Sequence, residues 1–229
     1  MKKLFVVIAV AIVTAGSMQA QFKIGPRVGL SLTNMKVSGE DDIEGLETKS
    51  KSRLGFQIGV LAEYSLTDAF AINAGVNYAQ LGGKQDLTFA EEDITLTAKT
   101  RLNYLQVPIN AQYKFGKFYV QAGPYVGFGL SGKVKTKVKG DLLGLASSFA
   151  PEDQDVKFGS KKGTEANDFE DGDDLKTVDF GVGLGLGLAL NHFQIGLGYN
   201  LGLTNISIAD EGKIKNNGFS LTAAFLFGK

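Results

Sequence analysis

The chain has 229 residues, with 24 basic against 24 acidic side chains, one histidine and no cysteine. That charge balance excludes the clustered basic excess of a nucleic-acid-binding face, and the missing cysteines exclude disulfides and thiolate metal sites. Residues 1–20 read as a signal peptide, with Lys2 and Lys3 ahead of an apolar run from Leu4 to Ala15 and cleavage expected after Ala20. The run is shorter than the roughly 20 residues a membrane helix needs. No second long apolar run follows, so residues 21–229 are expected to form one domain that can cross a membrane only with strands.

Eight segments then alternate apolar and small or polar residues: 22–32, 54–64, 70–78, 105–115, 118–130, 178–190, 193–203 and 219–227. Side chains of a strand point to opposite faces in turn, so each segment has one hydrocarbon face. The sixth, Val178 to Leu190, is the clearest: Val178, Phe180, Val182, Leu184, Leu186, Leu188 and Leu190 alternate with Asp179, four glycines and Ala189. A half-buried soluble strand would carry charge on its second face. Glycine there suits a narrow, crowded interior wrapped in lipid.

The connections alternate too. Short ones fall at 66–68, 116–117 and 191–192, and long ones at 35–52, 82–100, 132–176 and 207–217. The expected fold is therefore all-β: an eight-stranded antiparallel up-and-down transmembrane β-barrel with four long extracellular loops and three short periplasmic turns. Phe22, Tyr64, Phe70, Phe115, Phe118, Phe193 and Phe227 cluster beside the short turns as a periplasmic aromatic girdle. In 94–102 the parity reverses, with Thr95, Thr97, Lys99 and Arg101 facing out. This predicts a hairpin above the bilayer that turns near Glu91 to Asp93.

The inward set includes Lys23, Arg27, Glu63, Asp179, Tyr104, Tyr119, Tyr125 and many Asn and Gln. Eight strands leave an interior that side chains fill, so a plugged lumen is expected. Lys23, Arg27, Glu63 and Asp179 are read as an interior ion-pair network that satisfies buried charge; a proton or ion path is the competing reading. Lys133, Lys135, Lys137 and Lys139 form a ladder continuing the fifth strand, expected on its lumen side. It either stands as a solvated charge run or pairs with the acidic segment Glu165, Asp168, Glu170, Asp171, Asp173 and Asp174 to close the loop over the barrel mouth.

Other chemistry finds little support. An EF-hand template started at Asp168 puts Asp173 where the invariant glycine belongs. The GxGxG at 181–185 lacks the strand-to-helix context of a phosphate loop. His192 falls in a short turn with no nucleophile beside it, so neither an enzyme activity nor a cofactor or metal is expected. A soluble lipocalin-like barrel would turn the apolar face inward, and its outer face would need charge that these glycines do not supply.

The chain resembles the outer membrane β-barrel family typical of Bacteroidetes, often labelled PorT-like. The resemblance is carried by QAQF at 19–22, FKIGPRVGLSLTNM at 22–35, LNYLQVPINAQYKF at 102–115 and FSLTAAFLF at 219–227. It implies an outer-membrane barrel without a family active site, some of whose relatives serve secretion or gliding machinery. The expected partners are outer-membrane lipid and lipopolysaccharide, the barrel assembly machinery reading Phe225 and Phe227, and a surface or secretion protein. Two functions stay open: a structural or interaction role through the extracellular loops, and a narrow solute pore or accessory of a secretion complex.

Overall fold

The computed structural model describes residues 21–38, 46–89, 94–139, 153–159, 174–208 and 212–228. The signal segment 1–20, the hairpin tip at 91–93 and the acidic residues from Glu165 to Asp173 lie outside the described residues.

The strands are β1 (Phe22–Ser38), β2 (Leu46–Ser65), β3 (Phe70–Phe89), β4 (Ile94–Phe115), β5 (Phe118–Lys139), three short pieces β6 (Gln154–Val156), β7 (Phe158–Gly159) and β8 (Leu175–Lys176), then β9 (Val178–Leu190), β10 (Phe193–Gly202) and β11 (Lys213–Phe225). The sheet order β4-β3-β2-β1-β11-β10-β9-β5 closes on itself through a β4–β5 pairing. All eight long strands pair antiparallel with their neighbours. Closure leaves no edge whose backbone groups would face hydrocarbon unpaired.

The faces are inverted relative to a soluble protein. Leu54 is 65% exposed, Phe219 63% and Leu184 61%, while Glu63 and Gln112 inside are each 1% exposed and Asp179 is 0%. An apolar belt of this extent needs lipid around it.

Of the expected short turns, those at 116–117 and 191–192 each open on a residue with positive φ, Gly116 at 63° and Asn191 at 51°. Between β2 and β3, the Thr67 hydroxyl accepts the Phe70 amide at 2.9 Å. Beside the turns the aromatic rings touch one another: Phe70 with Tyr113 at 4.8 Å, and Phe115 with Phe118 at 5.9 Å. His192 stacks on Phe225 at 5.8 Å.

At the other end, the hairpin expected above the bilayer and the expected continuation of the fifth strand are both present, and sheet also extends into 35–52. β2 begins at Leu46, β3 runs to Phe89 opposite Ile94, and β5 continues to Lys139. Much of 35–52, of 82–100 and of the start of 132–176 is thus paired strand above the apolar belt. Hydrogen bonding along a strand does not stop where the hydrocarbon does; the outward residues change from leucines to lysines and threonines, and the inward ones from Asn and Gln to apolar side chains such as Leu81 and Leu102.

Candidate functional site

Inside the wall, the glycines of β9 act as sockets. A Cβ on Gly187 would lie 2.7 Å from the Tyr119 ring, and one on Gly181 would lie 2.6 Å from the Tyr125 ring. Gly127 stands 3.3 Å from Tyr104 in the same sense. Large rings and absent side chains therefore alternate across the lumen. What remains between them includes two small voids of about 20 and 40 Å³.

The charges expected to form one interior network are placed apart. Near the periplasmic end, Glu63 accepts Lys114 Nζ at 2.5 Å and Gln194 Nε2 at 2.5 Å. Lys23 lies opposite Glu63 in register, yet no ion pair joins them among the described residues. Asp179, near the extracellular end, accepts Asn216 Nδ2 at 3.0 Å. Arg27 sits between them beside the larger void, with Gln57, Asn77 and Gln106 around it. Lys114, absent from the expected set, is the cation that Glu63 uses. The signal for it was its parity, since it lies two residues beyond the inward Gln112.

The extracellular mouth is sealed by hydrocarbon. Met35, Leu81, Leu102, Tyr104, Leu175 and Ile206 are buried together, with Val156, Phe158 and Ile214 packed against them. Leu102, Tyr104 and Ile206 are each 0% exposed. The Phe158 ring meets Tyr104 edge-on at 5.5 Å, and a Cβ on Gly129 would come within 2.3 Å of that ring. The short parallel pair of β7 and β8 holds Phe158 beside Leu175. Asp174 fastens it by accepting the Lys157 amide at 2.7 Å.

The lysine ladder faces the opposite way from its expected lumen side. Asn103 pairs with Ser131 but Tyr104 pairs with Gly129, so Leu130 is an extra residue in β5. A one-residue bulge exchanges the two faces of everything beyond it. Lys133 consequently stands opposite the outward Arg101, Lys135 opposite Lys99, Lys137 opposite Thr97 and Lys139 opposite Thr95.

Glu165 to Asp173 lie outside the described residues; among the described ones, two lysines of the ladder have carboxylate partners from another segment. Lys133 Nζ reaches Asp155 at 3.4 Å and Lys135 Nζ reaches Asp153 at 2.5 Å. Both acids belong to the segment at β6, which pairs with β5. On the neighbouring strands, Asp86 accepts Lys51 Nζ at 2.7 Å and the Thr97 hydroxyl at 2.8 Å. These hydrogen bonds hold the Asp86 carboxyl below the usual carboxylate range, and the bond from Lys135 does the same for Asp153.

Chain comparisons accord with this architecture. A family model described as an outer membrane protein beta-barrel domain matches residues 14–207. No curated protein matches. Solved structures similar to the chain include Ail, the attachment invasion locus protein of Yersinia pestis, at 14% identity, covering 90% of this chain and 99% of that one with a TM-score of 0.44. Neisserial surface protein A is 13% identical, covering 90% and 97% with a TM-score of 0.45. OprG from Pseudomonas aeruginosa is 14% identical, covering 92% and 98% with a TM-score of 0.38.

Proposed function

The chain belongs to the outer membrane protein beta-barrel family, and from that premise we propose that this outer-membrane barrel acts through its extracellular surface and passes no solute through its lumen. The sealed mouth carries this reading. Leu102, Tyr104 and Ile206 are 0% exposed beneath Phe158 and Leu175. A hydrated ion crossing there would leave its water for hydrocarbon, a transfer costing many kcal/mol.

The surface left to act is the paired sheet that β2 to β5 raise above the apolar belt, with the segment at β6 fastened to its side. The partners proposed for it are outer-membrane lipid, lipopolysaccharide and a surface or secretion protein. Insertion falls to the barrel assembly machinery, for which Phe225 and Phe227 are the proposed signal. Residues 1–20 are proposed to be removed during export. Within the wider family, LNYLQVPINAQYKF at 102–115 supports placement among the PorT-like barrels of Bacteroidetes. The only histidine stacks in a periplasmic turn, which supports a non-enzymatic role.

Purified barrel in a planar bilayer tests the reading. Silence is the expected record; steady single-channel conductance would replace this reading with that of a narrow pore.

A further inference from the structure

The register of the extracellular sheet sets lysines against lysines. Lys51 stands opposite Lys84, Lys84 opposite Lys99, and Lys99 opposite Lys135, so four consecutive strands carry four cations in one line. One step nearer the membrane, Arg101 stands opposite Lys133, and Arg53 lies within Coulombic reach of Arg101. Further round the barrel, Lys36 of β1 faces Lys215 of β11. Strands lie about 4.8 Å apart and same-face residues about 7 Å apart along a strand. The four-lysine line therefore spans about 14 Å, with the second row about 7 Å below it.

Like charges placed directly opposite destabilise a sheet, and the carboxylates at hand cancel only part of this repulsion. Asp86, Asp153 and Asp155 pair with Lys51, Lys135 and Lys133. Lys99 and Arg101 have no carboxylate partner among the described residues. Immediately below the rows the same outer face becomes hydrocarbon, with Leu54 65% and Leu130 55% exposed. The cations thus stand at the level where outer-leaflet headgroups meet the barrel wall.

We propose that these rows bind the phosphate groups of the phosphorylated glycolipid of the outer leaflet, with its acyl chains lying along the leucine belt beneath. Phosphate is a compact multivalent anion that accepts from several ammonium groups at once. Two phosphates side by side would each bridge two neighbouring lysines of the line. The proposal rests on the reading that the outer surface of this sheet is the working face, and it names one occupant for that face. It also gives the lysines beyond the Leu130 bulge a task that lumen-facing lysines would not have.

The test uses the purified full-length barrel in detergent, titrated with phosphorylated lipid A, with the same lipid dephosphorylated, and with inorganic phosphate alone. Each Lys near an anionic membrane surface contributes on the order of 1 kcal/mol, so Lys84→Gln with Lys99→Gln should weaken lipid A binding about thirtyfold. Lys117→Gln, in the periplasmic turn, should leave it unchanged. Heat-modifiable gel migration reports folding, and the single Lys99→Gln variant, expected to lose about fivefold, serves if the double variant fails to fold. Equal binding of the dephosphorylated lipid, or of the Lys99→Gln variant, would overturn the proposal. Displacement of the lipid by equimolar inorganic phosphate would also overturn it, in favour of a site for the free anion. A silent planar bilayer alongside lost lipid specificity would leave the surface reading standing with a different partner, whereas conductance would remove the surface reading itself.

Discussion

Lys114 of β4 reaches past β3 to Glu63 of β2, at 2.5 Å, and Gln194 of β10 takes the second carboxylate oxygen from the far wall. Three strands that are not neighbours are tied together at one point near the periplasmic end. Glu63 is 1% exposed and the Lys114 side chain 19%, so water offers little compensation if either partner is lost.

Lys114→Met should therefore leave a buried charge unpaired and destabilise the barrel by about 3–5 kcal/mol. Adding Glu63→Gln should recover most of the loss. The urea midpoint of unfolding in lipid vesicles measures both; an unchanged midpoint for the single variant would mean that Glu63 has another partner.

Leucine at Gly187 and at Gly183 should separate. A Cβ at Gly187 meets the Ile195 carbonyl at 2.2 Å as well as the Tyr119 ring, and backbone cannot move aside. At Gly183 the nearest atom is Asn200 Oδ1 at 3.0 Å, the end of a side chain that can turn away. Gly187→Leu is expected to block folding by overpacking, while Gly183→Leu folds with a lowered midpoint. Gel shifts after assembly into vesicles compare the two directly.

The segment at 153–159 is held more by Phe158 than by the lysine ladder. Exposed ion pairs such as Lys133–Asp155 contribute about 0–1 kcal/mol, whereas fully burying a Phe side chain contributes about 1.5–3 kcal/mol, of which the partly buried Phe158 gains a share. Phe158→Ala should raise protease cleavage between 140 and 176 on intact cells far more than Lys133→Gln with Lys135→Gln. Phe158→Ala should also be the first variant to show leak conductance, because it thins the seal over Tyr104. The reverse order of cleavage would make the ion pairs the principal fastening.

Acid should loosen the extracellular sheet before it affects the wall. Asp86 and Asp153 have carboxyl groups held below their ordinary value of about 3.9 by bonds from Lys51, Thr97 and Lys135. Stability gained from a depressed carboxyl is fully present above the unfolded value and is lost as pH falls through the folded one. Amide protection in 84–87 and 133–135, taken relative to the intrinsic exchange rate at each pH, should accordingly be constant above about pH 4 and fall below it, with protection in β9 and β10 unaffected. Asp86→Asn should remove most of that dependence in 84–87.

Most of the wall was legible in the sequence. Lipid outside and a crowded lumen inside impose a period of two on every residue from Phe22 to Leu32 and from Val178 to Leu190, and a period of two can be read one strand at a time. The tyrosines and the glycines could both be read, although which ring enters which socket could not. Tyr119 lies against Gly187 and Gly196 because of how β5, β9 and β10 are staggered, and stagger is a property of the closed ring. The same holds for Glu63. Its parity placed it inside, but its partner comes from a strand two places away.

The alternating apolar faces and the tight turns at Gly116 and Asn191 followed from the amino-acid sequence by itself, because each depends on residues a few positions apart, and the eight-stranded wall followed from counting those segments, because lipid tolerates no open edge. The tertiary structure decided which way the lysine ladder faces, since one extra residue at Leu130 turns 131–139 over and leaves no trace in local periodicity. It also decided that hydrocarbon closes the mouth. Met35, Leu102, Phe158, Leu175 and Ile206 are scattered along the chain, and only closure of the ring brings them to one place.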